Sequence, residues 1–183
     1  LKTARQLAAT PRDPSVAEGE PVVERVGVFV DAENLVASAR RNDGGNFDFR
    51  ALLPALVGER RKVMAVAFCV DKDKGKAGAD FAGFVRALQA AGYEVRQKKP
   101  RVRGDGTSKA DWDMGIAMEI IDARNKLDVV VLCSGDGDFV PLVQRLKRWR
   151  RRVEVAAFVG GRIFRNSRCR PAVTSTTARR VAR

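Results

Sequence analysis

Two apolar runs in this chain each lead into an acidic cluster. Val26-Gly-Val-Phe-Val30 leads straight into Asp31-Ala-Glu-Asn34, and Val129-Val-Val-Leu-Cys133 into Ser134-Gly-Asp136-Gly-Asp138. Short apolar runs of this kind read as buried strands of a parallel α/β sheet. In such a sheet the carboxyl ends of the strands share one edge, and that edge carries the site. A third acidic cluster, Asp111-Trp-Asp113, opens a helical stretch. The formal net charge is +13. Carboxylates converging in so basic a chain are costly unless a cation sits among them. The pattern therefore points to a divalent-metal site and to chemistry on a polyanion.

The order of elements supports the parallel sheet. Strands are predicted over 26–31, 63–70, 93–96, 127–133 and 153–159. Helical spacing marks Phe81, Phe84, Val85 and Leu88, then a helix from about 111 to 124, then one over 139–150. That last helix should turn Leu142, Val143, Leu146 and Trp149 inward. Strands alternating with helices imply βαβ units with right-handed crossovers, which place helices on both faces. Residues 1–25 read as a flexible N-terminal arm and 26–159 as one domain. The stretch 97–109 reads as a basic loop. Residues 160–183 hold seven arginines and no acidic residue, and read as a disordered basic tail suited to non-specific contact with nucleic acid.

The remaining composition narrows the chemistry. The 183 residues, 45% hydrophobic and 31% charged, suffice for one globular domain with a real core. Cys69, Cys133 and Cys169 are far apart, which argues against a zinc knuckle or a disulfide framework. Cys69 and Cys133 fall inside strands and are expected to be buried, reduced thiols. No apolar stretch approaches the roughly 18 residues of a membrane span, and no signal peptide is visible, so a soluble cytoplasmic protein is expected. The chain has no histidine. A histidine general base and every triad that uses one are thereby excluded. Hydrolysis would rely on a metal-activated water, and an all-oxygen ligand set suits Mg²⁺ or Mn²⁺.

Each acidic residue has a structural and a chemical reading. Asp31 either caps the turn after its strand or ligates a metal. Asn34 either caps the next helix or orients a metal or phosphate through its amide. Asp113 shares the helical stripe of Ile116, Ala117, Ile120 and Ile121, where an unpaired carboxylate is expensive, and a bound cation explains it best. Asp111 reads as the cap of that helix. Glu119 is peripheral, closer to a solvated group than to a ligand. Asp136, between two glycines that permit a tight turn, reads as a metal ligand. Asp138 divides evenly between helix cap and ligand, and Ser134 between a phosphate contact and closure of the turn. The basic loop from Arg96 to Arg103, with Lys98, Lys99, Arg101 and Arg103, would hold a phosphodiester backbone together with Lys109. The run Lys147-Arg-Trp-Arg-Arg-Arg152 reads either as an extension of that track or as a solvated face.

Val28-Phe-Val-Asp-Ala-Glu-Asn34, Lys109-Ala-Asp-Trp-Asp-Met114 and Cys133-Ser-Gly-Asp-Gly-Asp-Phe139 together resemble the signatures of the NYN family. That family, also called LabA-like or DUF88, belongs to the PIN-like nuclease superfamily. The likeness spans roughly residues 26–159, in the family's motif order. It implies a three-layer α/β/α fold with a five-stranded parallel sheet of order 3-2-1-4-5. It also implies a metal-dependent ribonuclease activity, with RNA, single-stranded above all, as partner. Asp31, Asp113 and Asp136 match the family's core acidic positions, implied as metal ligands, and Asn34 matches the asparagine that follows the first. Asp111, Glu119 and Asp138 match acidic positions less uniformly tied to catalysis, and of these Asp138 is expected to be catalytic. Where relatives continue into a helix rich in Leu, Ala and Glu, this chain has its Arg-, Ser- and Thr-rich tail.

Overall fold

A computed structural model describes residues 23–43, 47–71, 77–99, 101–102, 108–109, 112–159, 162–166 and 179–180. The first half runs β1 (Arg25–Asp31), α1 (Ala32–Asp43), α2 (Phe49–Val57), β2 (Arg61–Val70), α3 (Ala77–Ala90) and β3 (Glu94–Lys98). A small antiparallel hairpin follows, β4 (Arg101–Val102) with β5 (Ser108–Lys109). Then come α4 (Asp113–Ala123), β6 (Val129–Cys133), α5 (Val140–Arg148), β7 (Arg152–Val159), β8 (Arg162–Asn166) and β9 (Arg179–Arg180). Short 3-10 turns precede β6, at Arg124–Lys126, and α5, at Gly137–Phe139.

The strands β3-β2-β1-β6-β7 are parallel neighbours. Counted in chain order among themselves, they give the expected order 3-2-1-4-5. β1 lies at the centre and is buried from Val26 to Asp31. Alternate strand residues then feed two cores. Val28, Val30, Ala65, Ala67, Val129 and Val131 face one side, where α1, α2 and α3 bring Leu35, Leu52, Leu56 and Leu88. Phe29, Val66, Phe68, Val130 and Leu132 face the other, where α4 and α5 bring Ile116, Ile120, Leu142, Val143 and Leu146. Gly27 lies under Leu127: a Cβ there would stand 2.5 Å from a Leu127 methyl.

Four local expectations change. Helix α2 has no counterpart among the predicted elements. It starts where Asp48 accepts hydrogen bonds from the Arg50 and Ala51 N–H groups, at 2.9 and 3.1 Å, and stops at Gly58 with φ 59°. Residues 101–102 and 108–109 pair as a hairpin inside the stretch read as a loop. Residues 162–166 fall in the tail read as disordered. They form β8, antiparallel to β7, and β9 pairs with β8 in turn. Without β8 the edge of β7 would present unpaired backbone groups, and the Ile-Phe pair within 162–166 favours a strand. Trp149 does not join the inner side of α5. The helix ends at Arg148, and Trp149, just past it, is 38% exposed. Cys69 and Cys133 are buried free thiols, and burial pushes the Cys69 thiol up to about 12. Cys169, Asp111, Arg103 and most of the N-terminal arm lie outside the described residues.

The edge where the parallel strands begin is held by ion pairs. Asp128 accepts from the Arg25 backbone N–H and from its guanidinium, at 2.9 to 3.0 Å. Arg152 reaches Glu24 at 2.7 Å and Glu154 at 2.8 Å. Arg60 reaches the same Glu154 at 3.0 Å, and its guanidinium also donates to the carbonyls of Leu56 and Val57 at the end of α2. Glu154 is 1% exposed, so it depends on those guanidinium groups for its charge.

Candidate metal centre

At the edge where the strands end, one carboxylate oxygen each of Asp113, Asp136 and Asp138 comes within 4.8 Å of the other two. Oxygens on opposite sides of a Mg²⁺ ion stand about 4.2 Å apart. The spacing is thus that of one small cation, after slight closure. All three donors are hard oxygens, so the set fits Mg²⁺ or Mn²⁺ and not a soft metal.

Asp113 arrives on the first turn of α4. Behind it Ile116 and Ile120 are fully buried, with Ala117 and Ile121 partly so, as the helical stripe requires. The expected cap, Asp111, lies outside the described residues; the residue at the cap position is Trp112, which gives no side-chain cap. Its indole N–H donates instead to the Cys69 carbonyl at 2.8 Å, and its ring packs against Phe68 with centroids 5.3 Å apart. That contact fastens the start of α4 to the end of β2. It needs Gly115, because a Cβ there would stand 2.5 Å from the indole. Trp112 was absent from the sequence expectations; its signal is a glycine three residues on, which leaves room for the ring to fold over the first turn.

Asp136 and Asp138 both lie in the cluster, and it is Asp136 that also serves as a cap. A 3-10 turn opens at Gly137, and Asp136 caps it, accepting the Asp138 N–H at 2.9 Å. Asp138 therefore sits inside the turn with its carboxylate turned to the cluster, and capping does not consume it. The flanking glycines do not need a left-handed backbone: among the described glycines only Gly58 and Gly92 have positive φ. The turn is set by the carboxylate of Asp136 and by Ser134, whose hydroxyl accepts the Asp136 N–H at 3.1 Å. Ser134 is buried and also donates to Asp31 at 3.3 Å, so it closes the turn.

Asp31 stands beside the cluster and outside its 4.8 Å group. One oxygen caps α1 by accepting the Asn34 N–H at 3.0 Å, and the other accepts from Ser134. Burial raises its pKa above the ordinary carboxylate value, those two hydrogen bonds pull it down, and the charges of Asp113 and Glu33 push it up. Asp31 and Asp113 thus share one field. Asn34 is not a cap. Its side-chain oxygen accepts the Gly135 N–H at 2.8 Å and clips α1 to the loop that carries Asp136.

The basic residues divide. Arg96 grips Glu119 with two hydrogen bonds, at 2.7 and 3.1 Å, and reaches Glu94 at 3.2 Å. Glu119 is therefore an ion-paired tie between α4 and β3. Lys98 lies over the Trp112 ring, 5.5 Å from its centroid, next to the start of α4, and Lys99 is exposed. Arg101 and Lys109 oppose each other in the hairpin. The run from Lys147 to Arg152 does not extend this track. Helix α5 runs antiparallel to the strands, so its end lies at the opposite edge, where Arg152 is registered against Val129 at the beginning of β6.

The profile of the NYN domain matches residues 25–175. A protein named Low amplitude and bright protein LabA, from Synechococcus elongatus, is 27% identical over 142 residues, which cover 74% of this chain and 75% of the relative. The crystal structure of a Vibrio parahaemolyticus protein of unknown function superposes with a TM-score of 0.68 at 31% identity, over 76% of this chain and 84% of that one. No described helix is long and apolar enough to cross a membrane. The order of the parallel strands, the acidic edge and the span of the match together establish that the chain belongs to the NYN domain family.

Proposed function

We propose that this protein is a divalent-metal-dependent endoribonuclease that hydrolyses phosphodiester bonds of single-stranded RNA. The carrying observation is the convergence of Asp113, Asp136 and Asp138 at the edge where the strands end, in a chain of net charge +13. Membership of a PIN-like nuclease family supports RNA as the polymer.

In this reading Asp113, Asp136 and Asp138 hold Mg²⁺ or Mn²⁺. The ion, when bound, supplies a Lewis acid for the phosphoryl oxygens and a nucleophile at neutral pH. Asp31 adds negative potential beside the cluster, and each of its oxygens, accepting one hydrogen bond, keeps a lone pair for the ion. Asn34 and Ser134 set the loop that aims Asp136. Trp112 holds Asp113 in place. Lys98, Lys99, Arg101, Arg103 and Lys109 would bind the RNA backbone alongside.

The test is cleavage of a single-stranded RNA in Mn²⁺, with and without chelator. Cleavage that stops with chelator, and that Asp136→Asn abolishes, supports the reading. Cleavage unaffected by chelator overturns it. A second reading, a non-catalytic RNA-binding module, draws on one observation: Asp31 and Asp136 both serve local turns, and so have a structural use without metal. RNA binding without cleavage in Mg²⁺ or Mn²⁺ would decide for it.

A further inference from the structure

The edge where the strands begin carries a second, basic surface that the acidic centre does not use. Helices α4 and α5 both end there, next to the starts of β6 and β7. Trp149 projects from it, 38% exposed. The Arg124 guanidinium lies 4.9 Å from the indole centroid and that of Arg145 5.5 Å. Arg145, Arg148 and Arg150 are exposed, and none of these three or Arg124 has a carboxylate partner among the described residues.

Cations at helix ends complement the helix dipole, and that accounts for Arg145 and Arg148. It does not account for two other features. One is a half-exposed indole flanked by guanidinium groups. The other is Arg150, held at φ 58°. The end of α5 is a Schellman motif: the Arg150 N–H donates to the Lys147 carbonyl at 2.9 Å and the Arg151 N–H to Leu146 at 3.0 Å. The left-handed position in that motif ordinarily belongs to glycine, since a side chain there is strained. A strained arginine beside an exposed aromatic ring is a pairing suited to a ligand.

We infer that this edge is a second RNA contact surface, in which Arg124, Arg145, Arg148 and Arg150 take phosphates and Trp149 gives a base a stacking partner. Guanidinium groups and an indole together match single-stranded nucleic acid, whose phosphates and base faces both need partners. An acidic protein would engage the cations and leave the indole unused. The two edges are separated by the length of β7, eight residues at about 3.3 Å each, or roughly 25 Å. The surface therefore serves long RNA and adds nothing for a short oligonucleotide held at the acidic edge. The inference takes RNA as partner, in common with the proposed function, and does not require that the protein cut it.

The test is equilibrium binding of a single-stranded RNA of about 30 nucleotides across a salt series, in chelator so that cleavage plays no part. Combining Arg145→Gln, Arg148→Gln and Arg150→Gly should lower the slope of log affinity against log salt by about 2, at about 0.7 per lost phosphate contact, and weaken binding at least tenfold. Binding of a tetranucleotide should not change. Arg150→Gly alone relieves the backbone strain, so it should keep or raise Tm while still lowering the slope by about 0.7. That variant keeps the test valid if the triple variant folds poorly. Wild-type affinity and slope in a folded Arg150→Gly protein overturn the assignment, as does equal binding of the RNA by wild type and Trp149→Ala. Weakened binding by a chain that never cleaves RNA sustains this surface and removes the nuclease reading alone.

Discussion

The two edges of this sheet handle charge in opposite ways. At the edge where the strands begin, carboxylates are matched to arginines: Asp128 to Arg25, Glu24 to Arg152, and Glu154 to both Arg60 and Arg152. At the edge where they end, Asp136 and Asp138 crowd Asp113, and neither has a Lys or Arg partner among the described residues. The first arrangement gives each of these carboxylates an arginine from within the protein. The second leaves Asp136 and Asp138 without a counter-charge from the described residues, the place the proposed metal would take. The two sets differ in burial, Glu154 being far more buried than Asp136, and in whether the chain itself supplies the counter-charge.

The contrast can be broken most directly at Asp136. Asp136→Asn removes one unit of charge with little change in shape, and metal-dependent cleavage should fall at least ~100-fold, because a metal site supplies several kcal/mol of transition-state stabilisation. Its Tm should stay close to wild type, since an amide oxygen still caps the Asp138 N–H. Wild-type turnover in Mn²⁺ would show that Asp136 does not hold the metal.

At the opposite edge the expected effect lies in stability. Arg60→Ala takes one of two arginines from buried Glu154 and should cost about 3 kcal/mol, read as a fall in Tm of about 6–12 °C. RNA cleavage per folded molecule should be unchanged. A loss of activity without loss of Tm would mean the two edges are not separable.

Gly115→Ala sharpens the comparison from inside the site. The new methyl meets the Trp112 ring, so overpacking should cost about 1–3 kcal/mol and shift the start of α4. Metal affinity, measured by titration of Mn²⁺, should fall with it. Intact metal binding in a destabilised variant would separate Trp112 from the positioning of Asp113.

The smallest effect belongs to the exposed pair. Arg25 holds Asp128 down to about 2, below its unfolded value of roughly 3.9. A carboxylate lowered on folding adds stability that is complete above about pH 4 and is lost as the pH falls toward 2. The pair is 42% and 37% exposed, so solvent screening keeps the contribution small. Asp128→Asn should flatten the acid limb of the stability curve slightly and leave pH 7 cleavage alone. A loss of several kcal/mol would mean that Asp128 carries a further role at that edge.

Much of this was legible along the chain. Apolar runs ending in Asp31 and Ser134 encode strands that deliver acidic residues to one edge, and Asp113 on the stripe of Ile116 and Ile120 encodes a helix that brings a third. Strand and helix periods are local properties, so sequence alone determined the five parallel strands, the edge that bears the acids and the family motifs. What only the tertiary structure decided is which polar atoms remain free once the elements meet. Asp31 lies 103 residues from the Ser134 that donates to one of its oxygens, and Arg96 is 23 residues from the Glu119 that takes it out of the basic track. Asp138 joins Asp113 and Asp136 because the turn starts at Gly137, and the basic run ending at Arg152 leaves the acidic edge because α5 runs back along the sheet. Hydrogen bonds and ion pairs between distant residues settle these assignments, and periodicity along the chain does not encode them.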